Sequence, residues 1–143
     1  MRDTVLREDG ERTFLLVFDP GDRIIETLTG FAADREIGAA RVYGIGAVQE
    51  AELGFFDPER KDYDHWNEGH SEVLSLTGNL SVEGREHRAH LHAVLGATDG
   101  SARGGHLFEG VVGPTLELFV VENPGRVIRR ERDQDRGLSL IRP

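Results

Sequence analysis

The chain has 143 residues, a formal net charge of −9 at pH 7 and no cysteine. Its length suits one domain with its own hydrophobic core. The lack of cysteine excludes thiolate catalysis and thiolate metal ligands, and the negative charge disfavours nonspecific nucleic-acid binding, which depends on neutralising phosphates. No stretch has the roughly 18 apolar residues of a membrane span, and no signal peptide is recognisable, so we expect a cytoplasmic protein.

The first third of the chain predicts one strand and the only strong helix. Residues 13–18 predict a buried strand that ends at the Asp-Pro-Gly of residues 19–21. We expect Asp22 to cap the following helix and Gly38 to end it. Apolar residues recur at helical spacing at Ile24, Ile25, Leu28, Phe31 and Ala32. The polar opposite face of this helix predicts that it lies across a sheet with one side in solvent.

The rest of the chain predicts strands. Residues 40–48 are expected to form a hairpin with residues 51–56, and the polar residues 57–69 to hold a short edge strand or an exposed loop. Further strands are predicted at residues 71–82, 88–95, 106–112 and 116–121. One helix followed by many antiparallel strands indicates an α+β domain, in which a largely antiparallel sheet carries one main helix.

The tripeptide His90-Leu91-His92 is the most informative chemical feature of the sequence. Because successive side chains of a strand point to opposite faces, both histidines lie on the face opposite Leu91. A hairpin through residues 96–105 brings His106 back beside them. Three neutral imidazoles with an open fourth position suit Zn²⁺ or a similar divalent metal better than any other common ligand. The sequence therefore predicts a metal site at His90, His92 and His106.

This site depends on the register of the hairpin. A two-residue turn at residues 99–100 would point His106 away from His92. The site therefore requires a loop of odd length or a bulge, which the glycines at residues 104–105 can supply. An all-nitrogen ligand set also accepts Ni²⁺, Co²⁺ or Fe²⁺, and the three ligands can come from one chain or from two.

Glu72 is the candidate catalytic residue. A metal can lower the pKa of a bound water toward neutrality, and Glu72 can then act as a general base or orient a ligand imidazole. The alternative for Glu72 is an exposed strand residue or an ion pair with an arginine. The alternative for the three histidines is a hydrogen-bonded cluster at a subunit contact. His65 and Trp66 are expected to line a cleft or cover a sheet edge.

One basic cluster stands out near the end of the chain, at residues 126–132. We interpret it as a solvated strand face with acidic neighbours.

Several of these motifs occur together in one known family. Residues 72–79, the His90-Leu91-His92 tripeptide and residues 104–107 resemble the PPC domain, which is conserved in plants and prokaryotes. Residues 43–48 resemble the segment that follows the helix in this family, and residues 129–140 resemble its C-terminal strand. The resemblance extends from about residue 12 to residue 140, so we expect one PPC-like domain over residues 1–143.

The resemblance implies one helix packed on a largely antiparallel sheet and assembly as a homotrimer. The three histidines match the prokaryotic form of the family and are consistent with a bound metal. In plants the domain is joined to AT-hooks, which bind AT-rich DNA, and prokaryotic members are often labelled DNA-binding by that association. No Arg-Gly-Arg-Pro core of an AT-hook occurs in this sequence.

Three functions fit these observations. The first is a trimeric protein with zinc, or another divalent metal, at the three histidines and a role that the sequence does not assign. The second is a DNA-binding or DNA-associated regulatory protein. The third is a metal-dependent hydrolase or lyase that acts on a small molecule. In the first case, the metal or the histidines can also serve only to stabilise the trimer.

Overall fold

A computed structural model describes residues 1–7 and 10–142, which form one helix and nine strands. The helix is α1 (Ile24–Asp34). The strands are β1 (Arg2–Arg7), β2 (Arg12–Phe18), β3 (Ala40–Asp57), β4 (Asp62–Glu68), β5 (Ser71–Glu83), β6 (Glu86–Gly96), β7 (Ala102–Glu122), β8 (Arg129–Asp133) and β9 (Leu138–Arg142). The predicted α+β class is confirmed. In the described part of the chain, no helix is long and apolar enough to cross a membrane.

The nine described strands belong to one sheet with the order β1-β2-β7-β3-β5-β8-β9, while β4 pairs with β3 and β6 pairs with both β5 and β7. All of these pairs are antiparallel except that of β5 with β8. Because β3, β5, β6 and β7 pair in a closed circuit, the sheet curls around its apolar interior.

The hydrophobic core determines which face of β6 carries the two histidines. Leu91 and Ala93 of β6 are buried in the same hydrophobic cluster as Leu28 of α1. Burying one leucine side chain favours folding by about 1.5–3 kcal/mol, so this face of β6 is strongly specified. His90 and His92 therefore point to the opposite face, where His90 is half-buried and His92 is exposed. The faces predicted for β6 are confirmed.

The start of α1 differs from the prediction. Glu109 on β7, not Asp22, accepts hydrogen bonds from the backbone N–H groups of Ile25 (2.8 Å) and Glu26 (3.3 Å). Asp22 binds the N-terminal amine of Met1 instead (2.7 Å). A carboxylate at this position satisfies free helical N–H groups and the helix dipole. The expected cap was wrong because the residue that caps the helix comes from a distant strand.

The end of α1 also differs, because the helix stops at Asp34 and not at Gly38. Glu36 adopts the left-handed conformation with φ = 54°. The N–H of Ile37 then donates to the carbonyl of Ala32 (2.8 Å), which closes the last turn. The helix therefore ends in a Schellman motif with glutamate at the position that glycine usually occupies.

Two predicted strand boundaries are wrong. Residues 40–48 and 51–56 are not the two arms of a hairpin but parts of the single strand β3. Residues 106–112 and 116–121 likewise belong to the single strand β7. β3 and β7 pair with each other along most of their length, and shifts in register at three places let them bend without a turn.

The ends of the described chain add strands that the sequence did not predict separately. β1 pairs with β2 at one end of the sheet order. The single C-terminal strand expected at residues 129–140 is a hairpin of β8 and β9, which joins the sheet through the parallel pairing of β8 with β5. The edge strand expected within residues 57–69 is β4 and is confirmed. The C-terminal hairpin places β8 beside the histidine face of β5 and β6.

Gly78 sets the close approach of β5 to β6 beside the histidines. A Cβ atom at residue 78 would overlap the backbone carbonyl of His90 and lie 2.9 Å from the Cα of Leu91. We therefore expect Gly78→Ala to lower the free energy of unfolding by about 2 kcal/mol, since the backbone of β6 must move to relieve the overlap. Urea unfolding, read by circular dichroism, measures this change.

Gly69→Ala is the matched control for this substitution. Gly69 lies between β4 and β5, and a Cβ atom there meets nothing within 4 Å. Its effect should stay within about 0.5 kcal/mol. Equal stability of the Gly78→Ala variant and the wild type would contradict the close packing of β5 on β6.

Candidate metal centre

The β6–β7 hairpin places His106 directly opposite His92. Its loop consists of the three residues 98–100, and the N–H of Gly100 donates to the carbonyl of Ala97 (3.0 Å). Gly100 has a φ of 82°, as expected for a type I turn followed by a left-handed residue. The loop therefore has the odd length that the predicted site requires, and the side chains of His92 and His106 share one face.

The three histidines converge on one point. One ring nitrogen of each of His90, His92 and His106 lies within 4.8 Å of the others. The ring centroids are separated by 5.3 Å for His90 and His92, 5.0 Å for His90 and His106, and 5.5 Å for His92 and His106. Among the described residues this is the one group of three or more metal-ligating side chains that can hold an ion. All three side chains belong to one chain.

Burial keeps two of these imidazoles neutral. It lowers the pKa of His90 to about 4, with a further contribution from the positive charge of Arg130. It lowers the pKa of His106 to about 4 as well, and the neighbouring His90 and His92 add to the effect. Both rings are therefore uncharged at pH 7 and have the lone pair that a metal ion binds.

The aromatic side of the cluster holds His106 in place. Its ring lies 5.1 Å from that of Tyr63 and 4.7 Å from that of Phe108, measured between centroids. Burial also raises the pKa of the Tyr63 phenol. The Nδ1 atom of His106 is buried and has no hydrogen-bond partner in the described part of the chain. Such an orphaned nitrogen is costly in a protein alone and fits a site that binds an additional group.

His65 and Trp66 lie on either side of β4. His65 stacks on Phe108 with 4.2 Å between the ring centroids, and its Nδ1 lies 2.7 Å from the carboxylate of Glu52. Trp66 is half-buried against the hydrophobic core, and its ring approaches the position of Gly105. His65 thus packs on the outer side of Phe108 and is not part of the cluster of three histidines.

Arg130 is the residue of this site that the sequence did not reveal, because the basic cluster was interpreted as solvated. In the structure the side chain of Arg130 points inward, and the residue is only 9% exposed. Its guanidinium donates to Ser81 Oγ, Asn79 Oδ1, the Ser139 carbonyl and His90 Nδ1, each at 2.9 Å. Two of these partners lie on β5, about 50 residues earlier in the chain. No local pattern around Arg130 marks a contact at such a separation.

The contact between Arg130 and His90 has a chemical consequence. A guanidinium only donates hydrogen bonds, so Nδ1 of His90 accepts and the proton of the neutral ring sits on Nε2. A neutral imidazole has one lone pair. Arg130 therefore orients the His90 ring, and ligation of a metal by His90 requires Arg130 to release that lone pair.

Glu72 lies apart from the three histidines. It is exposed at the second position of β5 and is paired with Gly96, whereas His92 is paired with Thr77. Five residues of strand at about 3.3 Å each separate the two positions along β5. A catalytic role for Glu72 stays a prediction, and its position in the single chain lends no support to that role.

Comparison with known proteins identifies the family. The sequence matches the model of the Plants and Prokaryotes Conserved (PCC) domain over residues 6–124. None of the curated proteins compared with the chain matches it.

Three solved structures share the whole fold, each with a TM-score of 0.86. A metal-containing protein from Archaeoglobus fulgidus is 34% identical, and the match covers 99% of this chain and 97% of that one. A plant- and prokaryote-conserved (PPC) protein from Pyrococcus horikoshii is 31% identical, with coverages of 99% and 95%. A protein from Bacteroides thetaiotaomicron, provisionally described as DNA-binding, is 30% identical, with coverages of 98% and 96%. The chain therefore belongs to the Plants and Prokaryotes Conserved domain family, as the motifs around its three histidines indicated.

Proposed function

We propose that this protein is a trimeric metal-binding protein in which His90, His92 and His106 hold Zn²⁺ or a similar divalent ion. The observation that carries the proposal is the convergence of three imidazole nitrogens within 4.8 Å on one face of the β6–β7 hairpin. A similar protein from Archaeoglobus fulgidus is described as metal-containing, which supports the proposal. A cytoplasmic location belongs to the same proposal and rests on composition alone.

The donor set suits a borderline metal. Nitrogen ligands without thiolate or carboxylate favour Zn²⁺ and related transition metals over Mg²⁺ or Ca²⁺. A zinc ion with three protein ligands supplies Lewis acidity and a bound water of lowered pKa. The surrounding residues set the charge and the orientation of the ligand imidazoles. Burial keeps His90 and His106 neutral, and Tyr63 and Phe108 position the His106 ring. Arg130 holds the His90 ring through Nδ1 and must release that atom before His90 binds the metal.

A hydrolase or lyase activity is a narrower form of the same proposal. It requires an open coordination position and a group that moves a proton. Two cavities adjoin the cluster, one beside His90 and His106 and one beside His92 and His106, so a small molecule can approach it. Because Glu72 is remote in the single chain, its predicted role as a general base would require a neighbouring subunit to bring it to the histidines.

Metal content tests the proposal directly. We expect untagged protein to contain about one zinc per chain by inductively coupled plasma mass spectrometry, and His92→Ala to lose it, because two ligands from one chain bind an ion much more weakly than three. His92 is exposed, so this variant should keep its circular dichroism spectrum.

His70→Ala is the matched control for the metal measurement. His70 is exposed between β4 and β5 and is outside the cluster. We expect this variant to retain the metal. A wild-type protein that stays metal-free after zinc is supplied would overturn the proposal, and so would equal metal loss in the two variants.

An apolar surface on the outer face of the sheet supports assembly. Tyr43 and Ile45 on β3 are 47% and 60% exposed, and Tyr43 stacks on Phe119 of β7 with 5.2 Å between the ring centroids. Contiguous exposed apolar residues mark protein–protein contacts more often than free surface. We assign this face to contacts between copies of the chain, in keeping with the homotrimer that the family resemblance implies.

The oligomeric mass tests this assignment. We expect light scattering to give three times the chain mass of 15.9 kDa for the wild type and a lower mass for Ile45→Arg, because a buried guanidinium without a partner opposes association. Gln134→Arg, in the turn between β8 and β9, should leave the mass unchanged. A wild type of one chain mass would contradict the trimer.

DNA binding is the second candidate, favoured by the description of the similar protein from Bacteroides thetaiotaomicron. The net charge of −9 opposes it, since phosphate neutralisation supplies most of the affinity for DNA. We expect no saturable binding to a labelled AT-rich duplex by fluorescence anisotropy at about 100 mM salt and protein up to about 100 μM. Saturable binding that weakens with salt and persists in His92→Ala would establish the DNA function instead.

A further inference from the structure

A cavity of about 270 Å³ lies between the histidine cluster and the C-terminal hairpin. Its walls come from β4, β5, β6 and β7 on one side and from β8 and β9 on the other. The charged side chains that line it are Arg88, Arg130, Arg132 and Glu83. His90 and His106 form part of the same wall. The cavity therefore combines a concentration of arginines with direct access to the proposed metal ligands.

Arg130 brings to this cavity a buried positive charge that makes no direct ion pair and interacts with the Glu83 carboxylate only at a distance. It is 9% exposed, and its four hydrogen-bond acceptors are all uncharged: a hydroxyl, an amide, a backbone carbonyl and an imidazole. Within the described residues no carboxylate lies within ion-pair distance of its guanidinium. Buried charges in proteins are ordinarily paired. A guanidinium has five N–H groups, so one N–H, on Nη1, is left for a further acceptor.

The other charged groups leave the cavity positive. Arg132 follows Arg130 at the spacing that places two side chains on one face of β8, and it has no ion pair among the residues that the structure describes. Arg88 is paired with Glu83 (3.1 Å) and Glu86 (3.0 Å). Three guanidinium groups thus surround a cavity lined by one carboxylate, in a protein whose net charge is −9. Such a local excess of positive charge attracts small anions.

We infer that this cavity binds a small oxyanion, the carboxylate or phosphate group of a metabolite-sized ligand, with Arg130 and Arg132 as its donors. Guanidinium groups match the geometry of both oxyanions. The volume corresponds to roughly nine water molecules, which suits a small molecule and not a polymer. The cavity borders the proposed metal site, because His90 and His106 line the cavity and belong to the three-histidine cluster.

Arg132→Gln is the variant that tests the oxyanion site. Arg130 is buried and makes four hydrogen bonds, so its removal can unfold the protein, whereas Arg132 is exposed and can be replaced with the fold retained. Arg129→Gln is the matched control, since Arg129 is exposed on the same strand and does not line the cavity. The two variants remove the same charge from neighbouring positions.

Titration calorimetry with metal-free protein separates this inference from the metal proposal. Inorganic phosphate and oxalate are titrated in parallel, with sodium chloride at equal ionic strength as the reference. We expect saturable binding of at least one oxyanion at one per chain, weakened at least fivefold in Arg132→Gln and less than twofold in Arg129→Gln. The tighter of the two probes identifies the phosphate or carboxylate class of ligand.

The outcomes of these measurements distinguish a failure of the oxyanion site from a failure of the metal site. Absence of saturable binding of both probes, or equal weakening in the two arginine variants, would overturn the oxyanion site. Zinc content is measured on samples of the same preparations before the metal is removed. Zinc without oxyanion binding would overturn this inference and leave the metal proposal intact. Oxyanion binding in a wild type that cannot take up zinc would support the cavity and overturn the metal site.

Discussion

The register of the β6–β7 hairpin is the constraint on which the candidate site depends. A loop of three residues, with Gly100 in the left-handed conformation, pairs His92 with His106. Because the side chains of a strand alternate, a shift of one residue would send His106 to the opposite face. The buried residues of β6 hold this register from the core side, since the same shift would expose Leu91 and bury His90. Folding and the proposed chemistry therefore depend on one alignment.

Burial and positive charge then set the properties of the cluster. His90 and His106 are half-buried and uncharged at pH 7, and Arg130 beside them makes protonation of His90 still less favourable. A proton and a metal ion compete for the same lone pairs, so rings that are already uncharged at pH 7 lose no proton when they bind a metal. Arg130 also occupies the lone pair of His90. The same residue thus links the cluster to the arginine-lined cavity.

The C-terminal hairpin supplies part of the candidate site. The family match ends at residue 124, and β8 and β9 lie beyond it. The parallel pairing of β8 with β5 is only two residue pairs long, but Arg130 reinforces it through hydrogen bonds to Asn79 and Ser81 of β5. The hairpin closes one side of the cavity and supplies its unpaired arginines.

The sequence predicted the features that follow from strand alternation and short-range geometry. These are the outward face of His90 and His92, the buried face of Leu91 and the need for an odd-length loop before His106. The predictions were wrong where residues that are distant along the chain determine the local structure. Glu109 replaces Asp22 at the helix start because a strand brings a carboxylate to it. Arg130 turns inward because its acceptors lie on β5, and β3 stays continuous because its pairing with β7 absorbs the irregular residues as bulges.

The proposed function requires that three imidazoles bind a single metal ion. X-ray absorption at the zinc edge of the zinc-loaded protein tests this claim most directly, because it counts the ligands and identifies the rings. We expect three imidazole nitrogens at about 2.0–2.1 Å from the zinc and at least one further light atom. A spectrum with fewer than three imidazoles, or with a shell of oxygen ligands alone, would contradict it.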